Sequence, residues 1–407
     1  MILLKQIASI VLGGGVVSLL NLAVYAAGLG ELGAEKFSQI IIVVALFFGC
    51  IDVFNSGSSK ILINQSFVNV RRKIIQVDMF LSIFSFLLFF VLSSFFSGLF
   101  GLNSDFSLSQ LLVLFLMFFV YMSTQFHLGF LRFSGRNHLV SILLIIIPLS
   151  RLVLVFFLSE SISGENFICL WLLVEVAPSL MFYIISKNKL KLCDSDDVSC
   201  RSFYSLYSPM FQANWLSNFI YSFSKHFDVV LFAFLFSPTL SSYYKVAKSV
   251  YNMAFNIGGS LVVYLFNHFP RGDLQGWFSL KNSVTILASY TLLFVFNIYS
   301  ASLIDISDGI LNAHFPSALE LFFITSTTVL IFFPAIFSRL IHYGIQAKKP
   351  SMFIQTAIAD VVLLAITMVT IACVQSDANI LASVYVTPIF SFVSLSFFYF
   401  VSKGMKK

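Results

Sequence analysis

Apolar residues in this 407-residue chain come in blocks of about twenty, separated by short polar breaks. A helix rising 1.5 Å per residue needs about that length to cross ~30 Å of hydrocarbon. The pattern predicts about twelve spans, at 6–28, 37–54, 74–96, 108–130, 139–158, 167–186, 205–236, 239–267, 283–304, 319–341, 351–373 and 379–401. The first apolar run exceeds the roughly 7–15 residues of a secretory signal core, and no A-x-A cleavage site follows it. It reads as a retained span.

Composition agrees. Hydrophobic residues make up 58% of the chain and charged residues 10%, with a mean hydropathy of +0.94. Soluble domains carry roughly 25% charged residues, so a cytosolic enzyme, a secreted domain and a disordered chain are all excluded.

The position of charge says more than its amount. Nineteen of the 24 lysines and arginines fall on alternate connectors, beginning with Lys5, then Lys60 and Arg71–Lys73, then Arg132 and Arg136. The opposite connectors hold only Lys36 beside Glu31, Glu35, Asp105, Glu160, Glu165, Asp305, Asp308 and Asp377. The positive-inside rule then places both termini in the cytoplasm and requires an even number of spans. It also explains the net charge of +6 without nucleic acid.

The longest hydrophilic connector, 187–202, divides the chain into two six-span lobes, 1–186 and 203–407. The five cysteines form no CxxC pair, and no Walker loop or H-E-x-x-H motif occurs. No cofactor, metal or enzymatic activity is expected.

A charge inside the bilayer costs about 2.5–3.5 kcal/mol on insertion scales and marks a bundle interior or a wet cavity. Four bases fall within spans: Arg151, Lys225, Lys245 and Lys248. The acids within spans or at their edges are Asp52, Asp78, Glu175, Asp228, Glu320 and Asp360. Asp78 and Glu320 lie near span ends and read as solvated. Lys245, Lys248, Asn252 and Asn256 share one helical face of span eight, and Asn214, Asn218, Tyr221, Ser222, Lys225 and Asp228 form a stripe on span seven. Together they describe the wall of a hydrated vestibule.

Ammonium and guanidinium groups suit phosphate or carboxylate, and amides suit sugar hydroxyls. The candidate substrate ligands are therefore Arg151, Lys225, Lys245, Lys248, Asn214, Asn218, Asn252 and Asn256. Glu175, Asp228 and Asp360 are candidates for coupling transport to protons or sodium. Structural readings stand beside these: an i,i+3 pair of Lys225 with Asp228, an ion pair of Arg151 with Glu175, and an outward-snorkelling Lys245. His127 and His226 lie near span ends and read as ordinary interface positions rather than proton relays.

The segments Leu32-Gly33-Ala34-Glu35-Lys36-Phe37-Ser38 and Asp52-Val53-Phe54-Asn55-Ser56-Gly57 resemble the opening of the polysaccharide-transporter family. That family, within the multidrug/oligosaccharidyl-lipid/polysaccharide superfamily, includes the Wzx-type O-antigen flippases. Asp228-Val229-Val230-Leu231, Ser242-Tyr243-Tyr244-Lys245-Val246-Ala247, Phe269-Pro270-Arg271 and the Arg339–Pro350 connector are similar to its second-half motifs. Ser38 and Ser242 replace the commoner glycine. Span one lacks the arginine often found before Leu-Gly, so no role for that arginine carries over.

The resemblance implies an all-α integral membrane fold with about twelve helices in two pseudo-symmetric six-helix lobes around a central cavity. It implies a flippase of the bacterial inner membrane moving a polyprenyl-pyrophosphate-linked oligosaccharide to the periplasmic leaflet by alternating access. Polysaccharide polymerases and glycosyltransferases would be its partners. Two alternatives remain. One is a cation-coupled multidrug exporter, whose lumen should be acidic; Asp52, Glu175 and Asp360 keep it open. The other is a membrane glycosyltransferase or polymerase, for which the longest outer connector, 305–318, is short.

Overall fold

The computed structural model describes residues 2–58, 71–100, 106–134, 137–158, 161–190, 211–212, 215–216, 218–249, 251–252, 352–374 and 380–404. The spans expected at 283–304 and 319–341, the connector from residue 191 onward, Asn214, Asn256 and the motifs at 269–271 and 339–350 lie outside the described residues.

The described residues contain helices and no strand. In chain order these are α1 (Ile2–Phe54), α2 (Arg71–Phe100), α3 (Leu108–Phe133), α4 (Asn137–Leu158), α5 (Gly164–Leu190), α6 (Asp228–Leu235), α7 (240–249), α8 (Met352–Val374) and α9 (Ile380–Gly404). Six stretches among the described residues are long and apolar enough to cross a membrane, Val16–Phe54 counting as one. The predicted spans 74–96, 108–130, 139–158, 167–186 and 351–373 each fall on one of these helices. In hydrocarbon a backbone must satisfy its own polar groups, so each of these five apolar blocks becomes a helix.

The first two predicted spans run together as α1, and the break between them is concentrated at Gly33, with φ 76° and ψ 160°. Side chains with a Cβ avoid that conformation, so the Leu-Gly turn seen in the sequence needs its glycine. Gly28 and Phe37 lie on either side of the kink, and a Cβ on Gly28 would meet the Phe37 ring.

Two compact units emerge, one of residues 39–231 and one of residues 1–38 with 232–407. In the first, α3 packs on α2, α4 and α5, and α5 on α4. Its centre is a triangle of fully buried rings: Phe47 stands 4.2 Å from Phe118 and 6.0 Å from Phe89, and those two are 5.5 Å apart. Leu131, Val140 and Phe182 extend this packing along α3, α4 and α5. The opposite face of α2 is apolar and bare, carrying Phe80, Phe84, Leu87, Val91 and Phe95 at helical spacing, which is where acyl chains belong.

In the second unit Phe232 of α6 stacks on Tyr244 of α7, ring centroids 4.6 Å apart and nearly parallel. Helix α8 packs on α9, where buried Phe398 meets Ala359, Leu395, Tyr399 and Val401.

Hydroxyls are settled inside the helices. Ser82, Ser93, Thr124, Ser222, Ser242 and Thr367 each donate to a carbonyl three or four residues earlier. Ser222, part of the span-seven stripe, is buried, with its hydroxyl bonded to the Phe219 carbonyl.

Candidate functional site

Two polar constellations lie inside the unit of residues 39–231. The first gathers on Asp52, near the end of α1. Its carboxylate oxygen Oδ2 accepts from Lys225 Nζ at 2.7 Å and lies 3.3 Å from His226 Nε2. Consecutive residues on an α-helix point about 100° apart and rarely reach one atom. Here Phe223–Phe227 forms a single π-helical turn; such turns insert a residue and re-aim side chains, often at functional positions.

The surroundings hold that turn. A Cβ on Gly49 would come 2.8 Å from the Phe227 ring, so glycine there allows the turn to pack against α1. Phe48 stacks on the His226 imidazole, centroids 5.8 Å apart, and stands edge-on to Tyr121 at 5.5 Å. Asn218 Nδ2 donates to the Asn55 carbonyl at 3.2 Å, tying this segment to the end of α1. The side chain of Lys225 is 61% exposed while that of Asp52 is 17% exposed. The cation is therefore the accessible member of the pair.

The second constellation links α4 and α5. Arg151 and Glu175 form a salt bridge at 2.5 Å, with side chains 5% and 13% exposed. The guanidinium also lies 5.4 Å from the ring centroid of fully buried Trp171. Each partner sits three residues from a proline in its own helix, Pro148 before Arg151 and Pro178 after Glu175. A proline lacks the N–H that would close a bond to the carbonyl four residues back, so each helix lacks one ladder bond near the pair.

These geometries decide among the sequence readings. Lys225 is bridged to Asp52, 173 residues away in sequence, rather than to Asp228 at i+3. The helical-pair reading of Lys225 with Asp228 is thereby corrected, because the π turn re-aims Lys225 towards α1. Asp228 is 2% exposed at the start of α6. The ion-pair reading of Arg151 with Glu175 is the one observed.

Asp78 is corrected as well. Instead of reaching water it is 2% exposed and accepts a hydrogen bond from Ser56. His226 joins the Asp52 cluster. His127 is buried between α3 and α5, with Nδ1 2.7 Å from Ser186 Oγ and its ring edge-on to Tyr183. Both histidines have polar neighbours on other segments, Ser186 for His127 and Asp52 for His226.

In the other unit Lys245 is half-buried, its ammonium 5.6 Å from the Tyr25 ring centroid. Lys248 is 4% exposed, and Asn252 is half-buried. Asp360 on α8 accepts from Ser394 of α9 at 3.1 Å, both residues being buried. The sequence reading kept Asp52 in reserve and did not see that it is the hub. The one signal was its place in the Asp-Val-Phe-Asn-Ser-Gly motif.

No protein-family profile matches the chain, and no curated protein matches it. Solved structures do. A mutant form of the Vibrio cholerae MATE transporter VcmN aligns at TM-score 0.58 and 11% identity, over 99% of this chain and 97% of that one. A multidrug resistance MATE family transporter of the MOP superfamily, in an outward-facing conformation, aligns at 0.57 and 13%, over 99% and 94%. A MOP superfamily transporter from Pyrococcus furiosus, described as having a binding pocket of reverse polarity that suggests a different function, aligns at 0.55 and 13%, over 98% and 95%. At such identities the likeness is one of fold. The chain has the all-α, twelve-helix, two-lobe membrane fold of these transporters.

Proposed function

We propose that this protein is a secondary transporter that moves an amphipathic substrate with an anionic headgroup, of the polyprenyl-pyrophosphate oligosaccharide class, across the bacterial inner membrane by alternating access. The fold supports transport in general. The observation that carries the substrate class is the polarity of the Asp52 cluster: its exposed charge is the Lys225 ammonium, and its carboxylate sits behind. Glu175 is likewise taken up by Arg151. A phosphate arriving at Lys225 would exchange places with Asp52, trading one charge-assisted contact for another. Basic residues hold the headgroup, amides such as Asn252 meet sugars, and the polyprenyl tail stays in lipid. No covalent bond changes.

Both termini lie in the cytoplasm on this reading, and the enzymes that build and polymerise the glycan are its functional neighbours. The test is translocation of a fluorescent polyprenyl-pyrophosphate glycan in liposomes carrying purified protein and no nucleotide. Lys225→Gln should slow it by about tenfold or more, the worth of one charged hydrogen bond, and Lys225→Arg should preserve most of it. Absence of any protein-dependent translocation would refute the assignment.

A second reading is a cation-coupled multidrug exporter, which the MATE neighbours favour over the first. One observation supports it at the site: an organic cation could displace Lys225 from Asp52. Efflux of a fluorescent organic cation in the same liposomes, abolished by Asp52→Asn, would select it over the glycan.

A further inference from the structure

Asp52 offers a single carboxylate oxygen to two bases. Lys225 Nζ stands 2.7 Å from Oδ2, and His226 Nε2 stands 3.3 Å from the same atom. One negative charge balances one cation, and the closer lysine supplies it. A proton on His226 at the same time would add an unmatched positive charge within the bilayer. The cluster at rest is therefore an Asp52–Lys225 ion pair beside a neutral imidazole.

The two bases differ in their freedom to leave. Lys225 carries its ammonium on a flexible four-carbon stem, and its side chain is 61% exposed. The side chain of His226 is only 15% exposed, and its ring stacks on Phe48 with centroids 5.8 Å apart. Phe48 lies one turn before Asp52 on α1, so carboxylate and imidazole are held against the same helix. Lys225 can swing away; His226 stays.

A phosphate that draws Lys225 off leaves Asp52, 17% exposed, without its counter-charge, the costly event in breaking a buried pair. The imidazole already faces it and ordinarily titrates close to neutrality. One proton taken from water makes it an imidazolium, with Nε2–H donating to Oδ2. Both negative charges are then matched, the phosphate by Lys225 and Asp52 by His226. No covalent bond changes.

Among the described residues, the titratable groups around this imidazole are Asp52 of α1, Lys225 of its own turn and Tyr121 of α3, on the far side of Phe48. Tyr121 lies within electrostatic reach of Lys225, Asp52 and Glu175. Glu175 is engaged by Arg151, and Tyr121 is neutral near pH 7. Neither competes for the proton.

We propose that His226 is the reserve partner of Asp52, taking up one proton from water when an anionic headgroup draws Lys225 away from the carboxylate. His226 is thus a positioning residue, holding Asp52 in place of the lysine. This rests on the anionic-headgroup reading above and deepens it.

The test is isothermal titration of the purified full chain in detergent with geranyl-pyrophosphate-linked glucose. This probe is a diester, fully ionised near neutrality, so it exchanges no proton itself. Repeating the titration at pH 7.5 in buffers of different ionisation enthalpy counts the protons taken up. A free imidazole is about one-tenth protonated there, so the wild type should take up about 0.5–0.9 proton per headgroup bound. Affinity should fall roughly tenfold from pH 6.5 to 8.5, because the bound state holds the extra proton. His226→Gln should bind with no uptake and a flat pH profile. Asp52→Asn should bind at least as tightly as the wild type, its lysine no longer engaged, and also without uptake. Binding by the wild type with no proton taken up, or uptake retained in either variant, overturns this proposal alone. No binding of the probe at all overturns the headgroup reading and this proposal with it.

Discussion

The Arg151–Glu175 bridge lends itself to a quantitative test. Both side chains are largely withdrawn from solvent, at 5% and 13% exposure, with oxygen and nitrogen 2.5 Å apart. Removing one member of such a pair leaves an uncompensated charge and costs about 3–5 kcal/mol, whereas replacing both with apolar groups is commonly neutral or stabilising. In Glu175→Leu the guanidinium keeps its place over Trp171, a contact common to both proteins that leaves the difference unchanged. The expected loss for Glu175→Leu is therefore about 3–5 kcal/mol. Arg151→Met should be destabilising too, since Glu175 is then the stranded charge. The double variant Arg151→Met/Glu175→Leu should return to within about 1 kcal/mol of the wild type.

The assay is reversible unfolding of all four proteins in mixed micelles, closed as a double-mutant cycle. Glycan translocation by the double variant is the companion measurement. A double variant that is stable yet inactive would give the pair a part in transport, through Arg151 as a substrate ligand or Glu175 as a coupling group; one that is stable and active would make the pair purely structural. The reasoning is refuted if Glu175→Leu alone costs less than about 0.5 kcal/mol, or if the two single losses simply add.

Other consequences follow from single contacts. Gly33→Ala should lower stability by about 1–3 kcal/mol through backbone conformation alone, because no atom lies within 4 Å of the added methyl; unfolding measurements decide it. Gly49→Ala places a carbon 2.8 Å from the Phe227 ring and should cost about 1–3 kcal/mol by overpacking, with Phe227→Leu restoring part of it in the double variant. Exchanging the partners, Asp52→Lys with Lys225→Asp, should recover more translocation than either single change, because the 2.7 Å contact can re-form with the charges reversed; equal loss in all three would show that the pair is not the unit. Ser186→Ala takes away the hydroxyl 2.7 Å from His127 Nδ1 and should destabilise by about 1–2 kcal/mol, read by the same unfolding assay.

Much of this molecule was legible before any coordinates. A span is set by hydrocarbon thickness, a one-dimensional requirement, so apolar blocks such as 108–130 and 351–373 land on α3 and α8 within a few residues. The Leu-Gly segment announced its turn because the conformation at Gly33 is one that few other residues adopt. Intramembrane charges could be picked out for the same reason: each stands against the composition of its span.

Partnership was a different matter. Helical spacing assigns a residue to a face but does not say which helix will confront it. Spacing put Asp228 beside Lys225, while folding brought Asp52 from 173 positions away and used a π turn to aim Lys225 and His226 at one oxygen. Asp78 looked solvated because only its distance from a span end could be counted. The turn at 55–58 folds over it, and no linear pattern encodes that cover. Hydropathy along a chain measures transfer into lipid one residue at a time, whereas the pairing of buried charges depends on distances of a few ångströms between segments that only packing brings together.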